Sequence, residues 1–170
     1  TIVNAVGEGR AIFANIQKFL RFLLSSNIGE VLTMFGGVVL AKQLGLTASG
    51  EEAIIAPLLA TQILWINLVT DSGPALAMGV DPEIDDVMAR SPRSSKERII
   101  DRRMWSGILA IGLVMSVATL LTIDIFLPGG LVEGRDSIEV ARTAGFTTLV
   151  FAQLFNAFNS RSETTTAFHR

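Results

Sequence analysis

Two acidic side chains, each accompanied by an asparagine, lie inside long apolar stretches of this sequence. Asn67 and Asp71 are four residues apart in the apolar run 54–80, where Asp71 is the single charged residue. Asn27 and Glu30 are three residues apart in an earlier apolar run. On helices these spacings put each pair on one face. Because carboxylates at membrane depth are costly and typically serve ion binding or transport, the pattern predicts an ion site within a bilayer.

The elements that must position these side chains are membrane-spanning helices, each of which needs about 20 apolar residues. We predict an all-α membrane bundle of four transmembrane helices, with spans at about 19–41, 55–79, 105–127 and 143–160. The last span has the weakest signal, because its uncharged stretch includes several Thr, Asn and Gln residues. Residues 8–22 have a helical pattern and are expected to extend the first helix into the cytosol as a stalk.

The distribution of lysine and arginine predicts the topology. Four spans place both ends and the loop 81–103 on one side of the membrane and the other two loops on the opposite side. The first side carries eleven of these residues and the second three, and cytosolic segments are enriched in them. Both ends and the loop 81–103 are therefore predicted to be cytosolic. The eleven are Arg10, Lys18, Arg21, Arg90, Arg93, Lys96, Arg98, Arg102, Arg103, Arg161 and Arg170, and the three are Lys42, Arg135 and Arg142.

Composition excludes several classes of function. The formal net charge is -2, and no basic patch with interleaved aromatic residues is present, so a nucleic-acid partner is not expected. The absence of cysteine rules out thiolate ligands and a cysteine nucleophile, and the single histidine, His169, is expected to be a surface residue. The first fourteen residues lack the pattern of a cleavable signal peptide, so we expect the chain to begin within a longer protein.

Helix-breaking residues follow the second acidic site. Gly73 and Pro74 come directly after Ser72, and proline removes a backbone donor and clashes with the preceding turn. The helix is therefore expected to loosen around Thr70 and Asp71. Carbonyl groups freed in this way can bind ions where broken helices line a cavity. A kink that only improves helix packing is the alternative interpretation.

The other candidate ligands lie close to the middle of their spans. Counted from Phe22, Glu30 is about 12 Å into a hydrocarbon core that is about 30 Å thick. Gln153 lies at a similar depth in the fourth span. Glu30 could instead be a protonated structural residue, and Gln153 could simply link helices by hydrogen bonds, as amides often do in membranes.

The candidate ligands share one chemical property, which is that all of them offer oxygen. Hard cations prefer oxygen, and Ca²⁺ takes six to eight such ligands, whereas copper and zinc favour sulfur or imidazole. Two carboxylates favour a divalent ion or a counter-transported proton, and ligand type alone leaves Na⁺ and K⁺ open. The predicted ligands are Asn27, Glu30, Asn67, Thr70, Asp71 and Gln153.

Five motifs distributed over nearly the whole chain carry a specific resemblance: residues 9–13 (GRAIF), 19–21 (FLR), 25–31 (SSNIGEV), 65–71 (WINLVTD) and 156–160 (NAFNS). The first three closely resemble the fifth transmembrane helix of P-type Ca²⁺-transporting ATPases of the sarco/endoplasmic reticulum kind. The fourth is similar to the sixth helix of these pumps, the last to the end of the eighth, and the loop 81–97 continues the match. The resemblance implies helices five to eight of an ATP-driven cation pump.

The resemblance also implies roles for individual residues. In this family the positions matching Asn27, Glu30, Thr70 and Asp71 contribute to one Ca²⁺ site, and those matching Asn67 and Asp71 contribute to a second. Asp71 would therefore bridge two sites, and in the family such acidic ligands exchange Ca²⁺ for protons.

Gln153 departs from the reticulum pumps, which have glutamate at the matching position. Plasma-membrane Ca²⁺ pumps and sodium pumps have glutamine there, so the resemblance leaves one or two ions per cycle open. Asn67 resembles the Ca²⁺ pumps, because sodium pumps have aspartate at that position. Ca²⁺ is therefore the expected ion, and a pump for Na⁺ or K⁺ is the alternative.

Several parts of such a pump are not found in this sequence. The family's phosphorylation motif (DKTGT), a glycine-rich phosphate loop, the fourth helix, and helices nine and ten are missing. We therefore expect ATP and Mg²⁺ to act only through cytosolic domains of the same pump chain, and this segment to be inactive alone. Its expected partners are those domains, the fourth helix and the lipid bilayer.

Two interpretations outside this family also remain. The same carboxylates could serve an ATP-independent exchanger or channel, or they could bond helices together in a scaffold that transports nothing. The absence of cysteine and the short loops favour the cell membrane of a prokaryote.

Overall fold

The computed structural model describes residues 2–47, 53–81 and 99–161. Within these ranges the chain is helical and has no β-strand, which confirms the all-α prediction. Four helical rods follow one another, and the second is broken into three pieces. The interior of the predicted loop 81–103 and His169 lie outside the described residues.

The helices have the following bounds. The first, α1, covers Ile2–Val39, and the broken second rod comprises α2 (Ala60–Trp65), a π-helical segment (Ile66–Thr70) and α3 (Ser72–Gly79). The last two are α4 (Arg102–Phe126) and α5 (Ile138–Ser160).

The first helix is much longer than a bilayer requires. Its 38 residues extend over about 57 Å at the rise of an α-helix, whereas the hydrocarbon core is about 30 Å thick. The helix therefore projects beyond a membrane, as the predicted stalk requires. Which side of the membrane it projects from stays a prediction.

Side-chain caps define the beginnings of α4 and α5. The Asp101 carboxylate accepts a hydrogen bond from Met104 N at 2.6 Å, and the Ser137 hydroxyl accepts one from Val140 N at 3.4 Å. Aspartate and serine are favoured at this position because they satisfy backbone N–H groups that the helix leaves unpaired. Pro128 follows the end of α4, where Leu127 is extended, as expected for the residue before a proline.

Helix α1 packs mainly against α4, and α4 packs against α5. Glycines allow the first of these contacts to be close. A Cβ atom on Gly112 would lie 2.6 Å from Ile28 Cγ2 and 3.1 Å from Gly29 N. Membrane helices typically approach each other at such small residues, because van der Waals packing and not hydrophobic burial drives their association.

Large apolar side chains on the outer faces of the helices are exposed. Val31 and Phe35 on α1, Val114 on α4, and Phe155 on α5 are each more than 60% exposed. Among the described residues, α1 and α4 are the helices that are long and apolar enough to cross a membrane. The predicted spans 55–79 and 143–160 stay predictions.

Candidate cation site

The Glu30 carboxylate joins three helical elements at the centre of the bundle. Glu30 is 4% exposed. Its Oε1 accepts a hydrogen bond from Gln153 Nε2 of α5 at 2.8 Å, and its Oε2 accepts one from Asn67 Nδ2 of the π-helical segment at 2.7 Å. Two amide N–H groups therefore stabilise one carboxylate from opposite helices.

The second carboxylate, Asp71, is buried without such partners. It is 3% exposed, and neither of its oxygens has a hydrogen-bond partner among the described residues. The charge of Glu30 repels a negative charge on Asp71. Since a buried charge is costly unless it is paired or binds a metal ion, this arrangement is typical of a site whose partner is a cation.

A widened helical turn places Asp71 at this position. Asp71 N donates to Ile66 O, five residues earlier, at 3.0 Å, and the segment Ile66–Thr70 is π-helical. Pro74 has no N–H with which to bond the carbonyl of Thr70, so the turn before it is free to widen. Short π-helical turns occur frequently at functional sites.

Asn27, Thr70 and Asp71 are the three predicted ligands that take no part in these hydrogen bonds around Glu30. Asn27 Nδ2 donates to Leu23 O of its own helix at 2.8 Å, which leaves its amide oxygen to serve any other role. Thr70 is half-buried in the π-helical segment, directly before Asp71. The structure thus brings together Glu30, Asn67 and Gln153 by direct bonds.

The orientation of the amides matters for cation binding. In this structure Asn67 and Gln153 present their nitrogens to Glu30, and the buried Gln153 Oε1 has no partner among the described residues. An amide binds a cation through its oxygen. Either side chain would therefore have to turn its amide by about half a rotation before it could become a ligand beside Glu30.

Comparison with known proteins decides the family. The model of the family described as "Cation transporting ATPase, C-terminus" matches residues 55–170, which is more than half of the chain. The chain belongs to the cation-transporting ATPases. The resemblance to the carboxyl-terminal membrane segment of P-type Ca²⁺-transporting ATPases is thereby confirmed.

Curated relatives of this cation-transporting ATPase segment come from bacteria, plants and animals. It is 42% identical to a calcium-transporting ATPase of Bacillus subtilis over 96% of this chain and 17% of that protein. Identity is 38% to a probable plasma membrane-type calcium-transporting ATPase 6 of Oryza sativa, over 95% of this chain and 15% of that protein. Identity is 36% to the calcium-transporting ATPase type 2C member 2 of Rattus norvegicus, over 98% of this chain and 16% of that protein. The chain spans less than a fifth of each of these relatives.

The ATPase segment is part of a multi-pass membrane protein. This follows from its family and from two helices that are long and apolar enough to cross a bilayer. A lipid bilayer environment is consistent with the apolar side chains that the outer faces of its helices expose. Within the described residues, no group of three or more His, Asp or Glu side chains comes together.

Sequence reasoning missed a second polar contact between helices of this ATPase segment, which involves Ser25, five residues before Glu30. Asn156 Nδ2 donates to the Ser25 hydroxyl at 2.7 Å, and both side chains are buried between α1 and α5. The hydroxyls of Ser26 and Ser160 are buried nearby in sequence and lack partners among the described residues. The available signal was the recurrence of small polar residues on both helices at helical spacing.

Proposed function

We propose that this segment binds the transported cation of an ATP-driven Ca²⁺ pump near the bilayer midplane. The observation that carries the proposal is Asp71, a buried carboxylate whose two oxygens have no partner in the described structure. The charge of the Glu30 carboxylate also repels a negative charge on Asp71. Two like charges in a low-dielectric interior are stabilised most effectively by a cation between them. The calcium-transporting relatives support Ca²⁺ as that cation.

Coordination would then proceed by exchange of partners at Glu30. Without the ion, N–H groups of Asn67 and Gln153 stabilise the Glu30 carboxylate. As the ion binds between Glu30 and Asp71, these amides rotate and present oxygen. Asn27 and Thr70 supply further neutral oxygens, and the remaining ligands of the six to eight that Ca²⁺ takes come from other parts of the pump chain.

The full-length protein would be the enzyme, and ATP and Mg²⁺ would act in its cytosolic domains. Movement of those domains would reach the site through the projecting stalk of α1 and open it to alternate sides of the membrane. Both ends of this segment would be cytosolic, in the cell membrane of a prokaryote.

A pump for Na⁺ or K⁺ is the second candidate, and Gln153 favours it. This side chain presents a neutral amide to Glu30 at 2.8 Å, so the described site offers two carboxylates and no third. Fewer charges suit a monovalent ion better than a pair of divalent ions.

The test is ATP-dependent uptake of ⁴⁵Ca into vesicles that contain the full-length pump. Wild type is compared with Glu30→Gln, and with Glu133→Gln as a matched control because Glu133 is exposed in the loop after α4. Na⁺, K⁺ and Mn²⁺ are added as competitors. We expect uptake by wild type and control, and at least about a tenfold loss of apparent Ca²⁺ affinity in Glu30→Gln, because a charged ligand is replaced by a neutral one.

Two results would contradict the proposal in different ways. Normal Ca²⁺ uptake by Glu30→Gln would remove this carboxylate from the ion path. ATPase activity that Na⁺ or K⁺ stimulates, without any Ca²⁺ uptake, would replace the Ca²⁺ pump by the second candidate and leave the ligand set standing.

A further inference from the structure

A second charged junction lies at Asp81, two residues after the end of the broken helix. The Asp81 carboxylate, with its side chain 9% exposed, accepts a hydrogen bond from Lys18 Nζ on α1 at 3.0 Å. It also accepts hydrogen bonds from both Arg161 Nη2 and Arg161 Nε, at 2.7 and 3.3 Å. This carboxylate, two residues after α3, thus joins α1 to the residue that follows α5.

The main chain at the same place is also bound to α1. Asn15 Nδ2 donates to Asp81 O at 3.0 Å and to Gly79 O at 3.5 Å. Asn15 and Lys18 are three residues apart, so they lie on one face of α1. The end of α3 is therefore attached to α1 through both its backbone and its charge.

Electrostatics favour an ionised Asp81. Burial acts to raise the pKa of this carboxyl, but hydrogen bonds from Arg161 and Lys18 and the charges of both outweigh burial, so that its pKa lies below the ordinary value. A partly buried carboxylate that shares two cations in this way is held in one geometry. Its removal would leave two positive groups facing each other without compensation.

The position of this junction relative to Asp71 gives it a role. Asn67 ties the broken helix to α1 at Glu30, and Asp81 ties it to α1 at Lys18, twelve residues or about 18 Å away along that helix. Asp71 lies between these two attachments. A displacement of α1 relative to the broken helix would therefore reach the segment that carries Asp71 through both attachments.

We propose that Lys18, Asp81 and Arg161 form a clamp that positions Asp71 and transmits movements of the α1 stalk to the cation site. These three are positioning residues, since none of them contacts the two carboxylates of the site. The proposal rests on the proposed function, because the clamp acts through a cation site.

The test measures ATPase activity of the full-length pump in vesicles against the concentration of Ca²⁺, and separately of Na⁺, K⁺ and Mn²⁺. The variants are Asp81→Asn, Asp81→Glu, Lys18→Gln and Arg161→Gln, together with the double variant Lys18→Gln/Asp81→Asn. Asp136→Asn is the matched control, because this substitution makes the same chemical change at an exposed residue of a loop. Thermal unfolding of each purified variant separates loss of fold from loss of affinity.

We expect Asp81→Asn to raise the half-saturating concentration of the stimulating cation by about 2- to 30-fold, the range found for mutations that change coupling between sites. The maximal rate should change much less. Asp81→Glu should restore part of the affinity because it restores the charge. Lys18→Gln should add little to Asp81→Asn, since both remove the same contact and changes in directly interacting residues are not additive.

Failure of the clamp differs from failure of the proposed function. If wild type responds to a cation and Asp81→Asn keeps the same half-saturating concentration, with only its melting temperature lowered, the clamp is a structural contact and the proposal is wrong. If the folded wild type responds to none of these cations, the proposed function is contradicted and the clamp with it.

Discussion

At the scale of single residues, Glu30 and Asp71 differ in a way that the sequence does not show. Glu30 is stabilised by two amides from other helices, whereas Asp71 is buried with no hydrogen-bond partner among the described residues. Two buried acidic side chains thus have different environments. In the proposed cation site, the first environment would hold a carboxylate in place before an ion arrives, and the second would have the greater need of the ion itself.

Gln153 offers a test at this scale. Gln153→Glu would place a second carboxylate about where an amide now donates to Glu30 at 2.8 Å. Without a divalent cation the two charges repel, so we expect a lower melting temperature than wild type. With saturating Ca²⁺ the extra charged ligand should reverse this difference, and the measurement is thermal unfolding of the purified full-length pump with and without Ca²⁺.

The control for this substitution is Gln62→Glu, which makes the same glutamine-to-glutamate change in the first turn of α2. Gln62 Oε1 accepts a hydrogen bond from Leu59 N, and a glutamate oxygen can accept it equally well. This variant should show the same Ca²⁺-dependent shift as wild type. A Gln153→Glu protein whose melting temperature is equally low with and without Ca²⁺ would argue against a divalent ion beside Glu30.

At the scale of helices, the sequence predicted the apolar cores better than the ends and the interruptions. The spans predicted at 19–41 and 105–127 fall on α1 and α4, whose apolar residues form long continuous runs. The span predicted at 55–79 is one rod broken by a π-helical segment. Proline indicated where that rod would loosen, because its missing N–H is a local property, but the type of turn depends on packing around it.

The break itself is open to test through Pro74→Ala. Alanine would restore the missing N–H and favour a regular α-helix through Thr70. Loss of the widened turn would rotate Asp71 by up to about 100° relative to Asn67, since that is the angle of one residue in an α-helix. We expect at least about a tenfold lower apparent affinity for the stimulating cation, measured as ATPase activity, in a protein that is no less stable.

Gly73→Ala is the matched control in the same helix. A Cβ atom on Gly73 would contact nothing within 4 Å, and alanine stabilises a helix interior relative to glycine by about 0.5–1 kcal/mol. This variant should keep wild-type affinity. An unchanged affinity in Pro74→Ala would show that the widened turn is not needed to place Asp71.

At the scale of the whole molecule, the arrangement is a bundle in which one long helix organises the others. Helix α1 packs mainly on α4 and carries Glu30. It is also bonded to Asn67 within the broken rod and to Asp81 just after that rod. Such a helix could pass movement from outside the membrane to the cation site, because its residues contact the site and the clamp at once.

Topology is the prediction that belongs to this scale. This segment has no cysteine, so single cysteines can be introduced at Arg102 and Asp136, which are both exposed. Any cysteine elsewhere in the full-length pump is first replaced. A membrane-impermeant thiol reagent applied to intact cells should label Asp136→Cys. Arg102→Cys should react only after the membrane is opened, because the basic ends of the helices are expected in the cytosol. The opposite pattern would invert the proposed orientation.

The sequence by itself determined the all-α class, the long apolar helices, and Glu30 and Asp71 as acidic residues within apolar runs. Each of these depends on the cost of placing a given residue type in an apolar environment, which acts on each residue separately. Only the tertiary structure decided which side chains meet. Gln153 bonds Glu30 across 123 residues of chain, Asn27 turns to its own helix, and Lys18 and Arg161, which the sequence analysis used only to predict topology, converge on Asp81. These contacts depend on how the helices pack, and helix packing is set by many small contacts at once.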